Sequence, residues 1–245
     1  MFGVLKSEFT KILTLRSTYI VVGVMIVLAI LAGIVAAAIA APNVTARIPI
    51  SSLVFQNAIY GVLSLTTGIF AIVASLIILN EYRHNTIAYT FTASRSRYTV
   101  FAAKVIAALG YALAVTLVLA LFAVLAATIT LAVSGVAVTT QKLEIGALIL
   151  HLGLYVSFYT LVGLFLGFIL RNIIVVIVIV FALPIVENLA GILLKDGAQY
   201  LPFRTFGALA NTGEATASAS VVAVAFVYLL GLAALAVVLF KKRDA

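Results

Sequence analysis

The residues able to support acid–base, metal or nucleophilic chemistry are few in this sequence, and they do not sit at the spacings such chemistry needs. His84 and His151 are the only histidines, and they form no ligand pair. Cysteine is absent, which excludes disulfides, thiol catalysis and thiolate metal sites. No His-Glu-x-x-His, no paired acidic motif, no Gly-x-Ser-x-Gly and no P-loop occurs. These absences point to a chain that is not an enzyme and binds no metal. Two acids remain of interest. Glu81 stands in a basic stretch with Arg83, His84, Arg95 and Arg97. That stretch reads either as a solvated loop or as a short helix that docks on a partner, with Glu81 pairing to Arg83, Arg97 or Lys104. Such a pair at a membrane boundary is less screened than one on an open surface. Glu187 lies in an apolar run, where an ionisable group is functional by default. It also lies about 22 Å along a helix counted from Ile173, far enough to reach the outer headgroups.

The elements around these residues are membrane-like. Of the 245 residues 65% are hydrophobic and only 9% charged, whereas a soluble domain carries about 25% charged residues. Mean hydropathy is +1.32. The apolar residues arrive in blocks of about 20, the length a helix needs to cross a hydrocarbon core of about 30 Å. Residues 1–17 read as an interfacial helix, with Phe2, Leu5, Phe9, Ile12 and Leu13 on one face and Lys6, Lys11 and Thr14 on the other. Spans are expected at 18–41, 53–79, 100–133, 145–170, 173–194 and 220–240. The first imitates a signal peptide, but its apolar run is too long and all that follows is also membrane-like. Pro184 interrupts the fifth span, so that helix either continues with a kink or breaks into two pieces. Residues 80–99 form the longest inner polar stretch. Residues 195–219 read as an outer re-entrant or interfacial segment. Gly163-Leu-Phe-Leu-Gly167 is a small-xxx-small pattern that permits close helix approach.

Orientation follows from the Lys/Arg bias. With the N-terminus inside, the inner segments hold Lys6, Lys11, Arg16, Arg83, Arg95, Arg97, Lys104, Arg171, Lys241, Lys242 and Arg243. The outer segments hold Arg47, Lys142, Lys195 and Arg204. The expected fold is therefore an all-α integral membrane protein with about six transmembrane helices, an N-terminal interfacial helix and both termini cytoplasmic. The net charge of +8 is then explained by topology and anionic lipid, with no nucleic-acid partner.

Two stretches carry a resemblance. Lys6-Ser-Glu-Phe-Thr-Lys-Ile-Leu-Thr-Leu-Arg-Ser-Thr-Tyr19 resembles the N-terminal segment of bacterial type 2 ABC transporter permeases. Glu81-Tyr-Arg-His-Asn-Thr-Ile87, followed by Ser94-Arg-Ser-Arg97 and Ala103-Lys104, resembles the intracellular signature of that family. Asn80 and Asn85 stand where the family usually has glycine. Asn tolerates left-handed backbone better than most residues.

The resemblance implies a permease subunit of an ATP-driven exporter in the bacterial cytoplasmic membrane. Residues 1–17 would be its elbow helix. Glu81 to about Ala93 would be a coupling helix seated on a separate ATP-binding subunit, which holds the ATP and Mg. Glu81, Arg83, His84, Asn85, Thr86, Arg95 and Arg97 would carry that coupling. A second copy or a paralogue would complete a two-fold path along the second and fifth spans. Polarity then nominates Gln56, Asn57, Tyr60, Ser64, Thr67, Pro184, Glu187 and Asn188 as path residues. The rival reading is an ATP-independent secondary transporter or channel subunit. It would favour charges near the bilayer centre, where only Glu187 comes close.

Overall fold

The computed structural model of the chain describes residues 2–14, 16–41, 50–84, 97–135, 145–208 and 219–243. Within them the chain is helical: α1 (Phe2–Thr14), α2 (Arg16–Ala40), α3 (Ile50–Arg83), α4 (Arg97–Val133), α5 (Ile145–Leu170), α6 (Ile173–Leu194), a 3-10 turn (Lys195–Tyr200), α7 (Pro202–Ala208) and α8 (Ala219–Arg243). Six of these, α2 to α6 and α8, are long and apolar enough to cross a membrane. Helices are the expected outcome, because a spanning segment must satisfy its own backbone hydrogen bonds in hydrocarbon. The protein is an all-α integral membrane protein.

The core lies along α3 and α5, which pack on each other more extensively than any other pair. Glycines make this approach possible. A Cβ on Gly163 would collide with the Ala71 backbone, and one on Gly167 would meet Ser75 Cα at 3.1 Å. The Gly163/Gly167 pattern thus seats α5 against α3. Gly33 plays the same part where α2 meets the Ala123 backbone of α4. In contrast, α2, α6 and α8 bury little of their surface and turn Ile20, Val27, Ile174, Val178, Ile185, Leu189 and Leu230 outward. Such apolar exposure is stable only where the solvent is lipid.

Several elements differ in extent from a plain hydropathy reading. α3 and α4 run past their apolar blocks, to Arg83 and back to Arg97, so polar residues at their ends are carried on rigid helix. α6 continues unbroken through Pro184. The stretch that follows α6 folds as the 3-10 turn and α7, which pack on α6 and α8. On α1 the buried face is Leu5, Glu8, Phe9 and Ile12, whereas Leu13 is exposed.

One end of the bundle gathers α1, the end of α3, the start of α4, the α5–α6 turn and the end of α8. Phe101, Phe165, Phe168 and Phe240 stack there, with ring centroids 4.9–6.2 Å apart. This is called the α1 end below.

Candidate functional site

The α1 end holds a closed ring of four charges. Glu8 comes from α1, Glu81 from the last turn of α3 and Lys104 from the third turn of α4. Lys104 Nζ donates to Glu8 Oε2 and to Glu81 Oε1, both at 2.8 Å. Lys11 Nζ donates to Glu8 Oε1 at 2.8 Å and to Glu81 Oε1 at 2.7 Å. The ring is neutral in sum. Lys104 is completely buried and the Glu8 side chain nearly so, while the Lys11 side chain keeps 44% of its exposure.

The elements place these groups for simple reasons. Glu8 is one turn after Leu5 and one before Ile12, on the face that α1 presses onto the bundle. Phe9, on the same face, fits against Gly110 of α4, where a Cβ would lie 2.8 Å from the ring. Glu81 stands one turn beyond buried Ile78 on α3, and Lys104 one turn before buried Ala107 and Ala108 on α4. An unpaired charge at such depth costs several kcal/mol, so each side chain requires the others. Burial pushes the Glu8 carboxyl up, but the Lys104 and Lys11 ammonium groups outweigh it and hold it below its ordinary 4.5. Burial lowers the Lys11 ammonium, but hydrogen bonds to Glu8 and Glu81 outweigh it and hold it above its ordinary 10.5.

Of the partners open to Glu81 from the sequence, Lys104 is in contact with it. Arg83 and His84 are exposed on and just after the last turn of α3. Arg97 is the first residue of α4. Asn85, Thr86 and Arg95 lie outside the described residues, as does most of the segment expected to couple. Glu8 and Lys11 are additions that the sequence reading missed. The signal that could have found Glu8 is a carboxylate on the apolar face of an amphipathic helix, where only a paired charge is tolerated.

The residues nominated for a path fall in two places. On α3, Gln56 and Tyr60 are half-buried and Asn57 is exposed; Thr67 is buried. Ser64 is on α3, and its side chain lies outside the described set. On α6, Pro184 is half-buried and Asn188 exposed. Glu187 is 5% exposed and reaches α7. Its carboxylate accepts from Phe203 N at 2.9 and 3.1 Å and from Arg204 N at 3.1 Å. Those are N–H groups that the first turn of a helix cannot satisfy by itself, and negative charge is favoured at that end. Pro202 begins the same turn without an N–H to lose. Asn188 accepts from the Arg204 guanidinium at 3.3 Å. Glu187 thus ties α6 to α7. Glu187→Ala is expected to free α7: a cysteine at buried Thr205, inert in the parent, should react with a thiol reagent at least 10-fold faster. An unchanged rate would show that α7 is held without Glu187.

No group of three or more His, Cys, Asp or Glu able to hold a metal occurs among the described residues. What the ring can do is mechanical: it locks α1, α3 and α4 into one unit at one end of the bundle. No curated protein and no solved structure matches this chain. A family model described as "ABC-2 family transporter protein" matches residues 4–187, which includes the whole charge ring and α3 to α5. The chain belongs to the ABC-2 family of transporter proteins and is a transmembrane permease subunit of an ABC-type transporter.

Proposed function

We propose that this permease is driven by a separate ABC ATP-binding subunit, which docks at the α1 end, and that it works as an exporter. The observation that carries the proposal is the ring of Glu8, Lys11, Glu81 and Lys104. The segment that follows Glu81 is the one whose sequence resembles a coupling helix. Glu81 is joined to α4 through Lys104 and to α1 through Lys11. A push on the segment after Glu81 therefore moves two spans and α1 together rather than bending one helix end. Hydrolysis of Mg-ATP takes place on the partner. The Lys/Arg bias supports an α1 end that faces the cytoplasm, in the inner membrane of a bacterium, with both termini there.

The apolar outer face of α6 supports pairing with a second copy or a paralogue, with α3 and α6 along the two-fold path. Gln56, Asn57, Tyr60, Ser64, Thr67, Pro184, Glu187 and Asn188 would then lie on or near the route. Glu187 would hold the outer helix that closes it.

The test is purification from the native membrane in mild detergent, followed by mass spectrometry. A stoichiometric ATP-binding subunit is expected, lost when residues 85–93 are replaced. Glu81→Ala should insert normally yet separate ATP hydrolysis from transport. Recovery of the chain alone from several detergents would turn the reading toward an ATP-independent transporter or channel. Because the chain has no native cysteine, introduced ones report orientation directly. His84→Cys and Lys242→Cys should resist an impermeant thiol reagent in intact cells, and Asn188→Cys should react. The reverse pattern would invert the topology.

A further inference from the structure

Arg171 is the one non-glycine with positive φ among the described residues, at 53°. It sits in the two-residue turn between α5 and α6. A side chain in this left-handed region is strained, and glycine is the residue that usually ends a helix there. The backbone chemistry of the turn does not call for arginine. Arg171 N donates to Gly167 O at 3.2 Å and closes α5. Asn172 Oδ1 accepts from Ile174 N at 2.9 Å and caps α6. Glycine would serve both bonds without strain. What arginine adds is its guanidinium, which lies 4.2 Å from the centre of the Tyr82 ring, within reach of a cation–π contact. Tyr82 is the residue after Glu81. Strain of this kind persists where the surroundings hold it, and it gathers at switching and binding sites.

We propose that Arg171 is a positioning residue that links the Glu81–Tyr82 end of α3 to the start of α6, so that a displacement at the charge ring reaches α6. Nothing in the turn is slack: two residues join the helices, and both are hydrogen-bonded. α6 is otherwise held along one face, by Val176 and Val180 in the core and by Glu187 on α7. Arg171 thus fixes the end of α6 nearest the charge ring, next to Ile173 and Val176, which pack in the core. The functional meaning of the link depends on the α1 end receiving the push from an ATP-binding subunit; the link itself does not.

Nitroxide pairs measured by double electron–electron resonance separate these two statements. One pair is placed at exposed Arg83 and at exposed Ile185, about 18 Å further along α6 than its start. The parent and Tyr82→Phe should give one narrow distance distribution. Arg171→Gly and Tyr82→Leu should widen it at least twofold. Arg171→Gly also relieves the strained backbone, so its unfolding midpoint should stay within about 4 °C of the parent. A control pair at Leu121 and Leu230, both exposed, should not change. A distribution in Arg171→Gly as narrow as the parent's overturns the link. Equal broadening at the control pair also overturns it, because Arg171 would then be a general stabiliser. With the partner ATPase bound, ATP should shift the Leu121–Ile185 distance in the parent and not in Arg171→Gly. A parent that ignores ATP removes the docking proposal, while the first pair still decides the link.

Discussion

Lys104→Met is expected to destabilise the protein by about 3–5 kcal/mol, the range for breaking a buried ion pair from one side. Methionine has a similar shape, so the loss is electrostatic. Lys104 is fully buried between Glu8 Oε2 and Glu81 Oε1. Its removal leaves two buried carboxylates sharing the half-exposed Lys11. Lys11→Ala should cost much less, about 1 kcal/mol or under, since solvent already screens that ammonium. Replacing all three buried charges together (Glu8→Gln, Glu81→Gln, Lys104→Met) should recover most of the loss. Chemical unfolding in detergent checks each value. A Lys104→Met midpoint equal to the parent's would show that the ring is not a structural unit.

The pH dependence provides an independent check with a sign that reverses. In the parent the folded Glu8 carboxyl titrates below its ordinary 4.5. Its contribution is therefore present above that value and is lost as pH falls through the folded pKa. The folded Lys11 ammonium titrates above its ordinary 10.5. Its contribution is present below that value and is lost as pH rises further. The stability that Glu8 and Lys11 contribute should thus be flat between about pH 5 and pH 10. In Lys104→Met, two carboxylates crowd one site and one of them favours protonation. That variant should gain stability on mild acidification, where the parent does not. Unfolding midpoints measured from pH 4 to 8 would separate the two.

The second large effect lies at the α3–α5 contact. Gly163→Leu is expected to abolish assembly of the bundle, and Gly163→Ala to cost about 1–3 kcal/mol, as overpacking does. A Cβ there runs into the Ala71 backbone, which cannot rotate away. Gly167→Ala should cost less. Its Cβ meets the Ile78 Cγ2 methyl at 2.9 Å and Ser75 Cα at 3.1 Å, and the methyl can move. Gly153→Ala should be neutral, because the nearest atom is a leucine methyl at an ordinary 3.6 Å. The order Gly163, Gly167, Gly153 is the prediction, read as folded yield and unfolding midpoint in detergent. Any other order would place the close helix approach elsewhere.

Much of the architecture is written in the sequence because hydrocarbon is an unforgiving solvent. A run of about 20 apolar residues in a membrane has to be a helix, so six spans and an amphipathic α1 follow from composition and period alone. The same local logic reaches Glu81 and Glu187 as charges in unusual places, and the Gly163/Gly167 spacing as a possible contact. It stops at partners. Glu8, Glu81 and Lys104 are distant in sequence, and Lys104, Arg83 and Arg97 are equally plausible cations for Glu81 until α4 is laid beside α3. Whether Glu187 faces lipid, a route or another element depends on where α7 folds, and its three hydrogen bonds to Phe203 and Arg204 come from that return of the chain. The left-handed Arg171 has no local signal at all, since glycine would close the same turn. Hydrophobicity acts residue by residue and is legible in order along the chain. Ion pairs, close backbone contacts and stacked rings act between segments, and only the tertiary structure decides which segments meet.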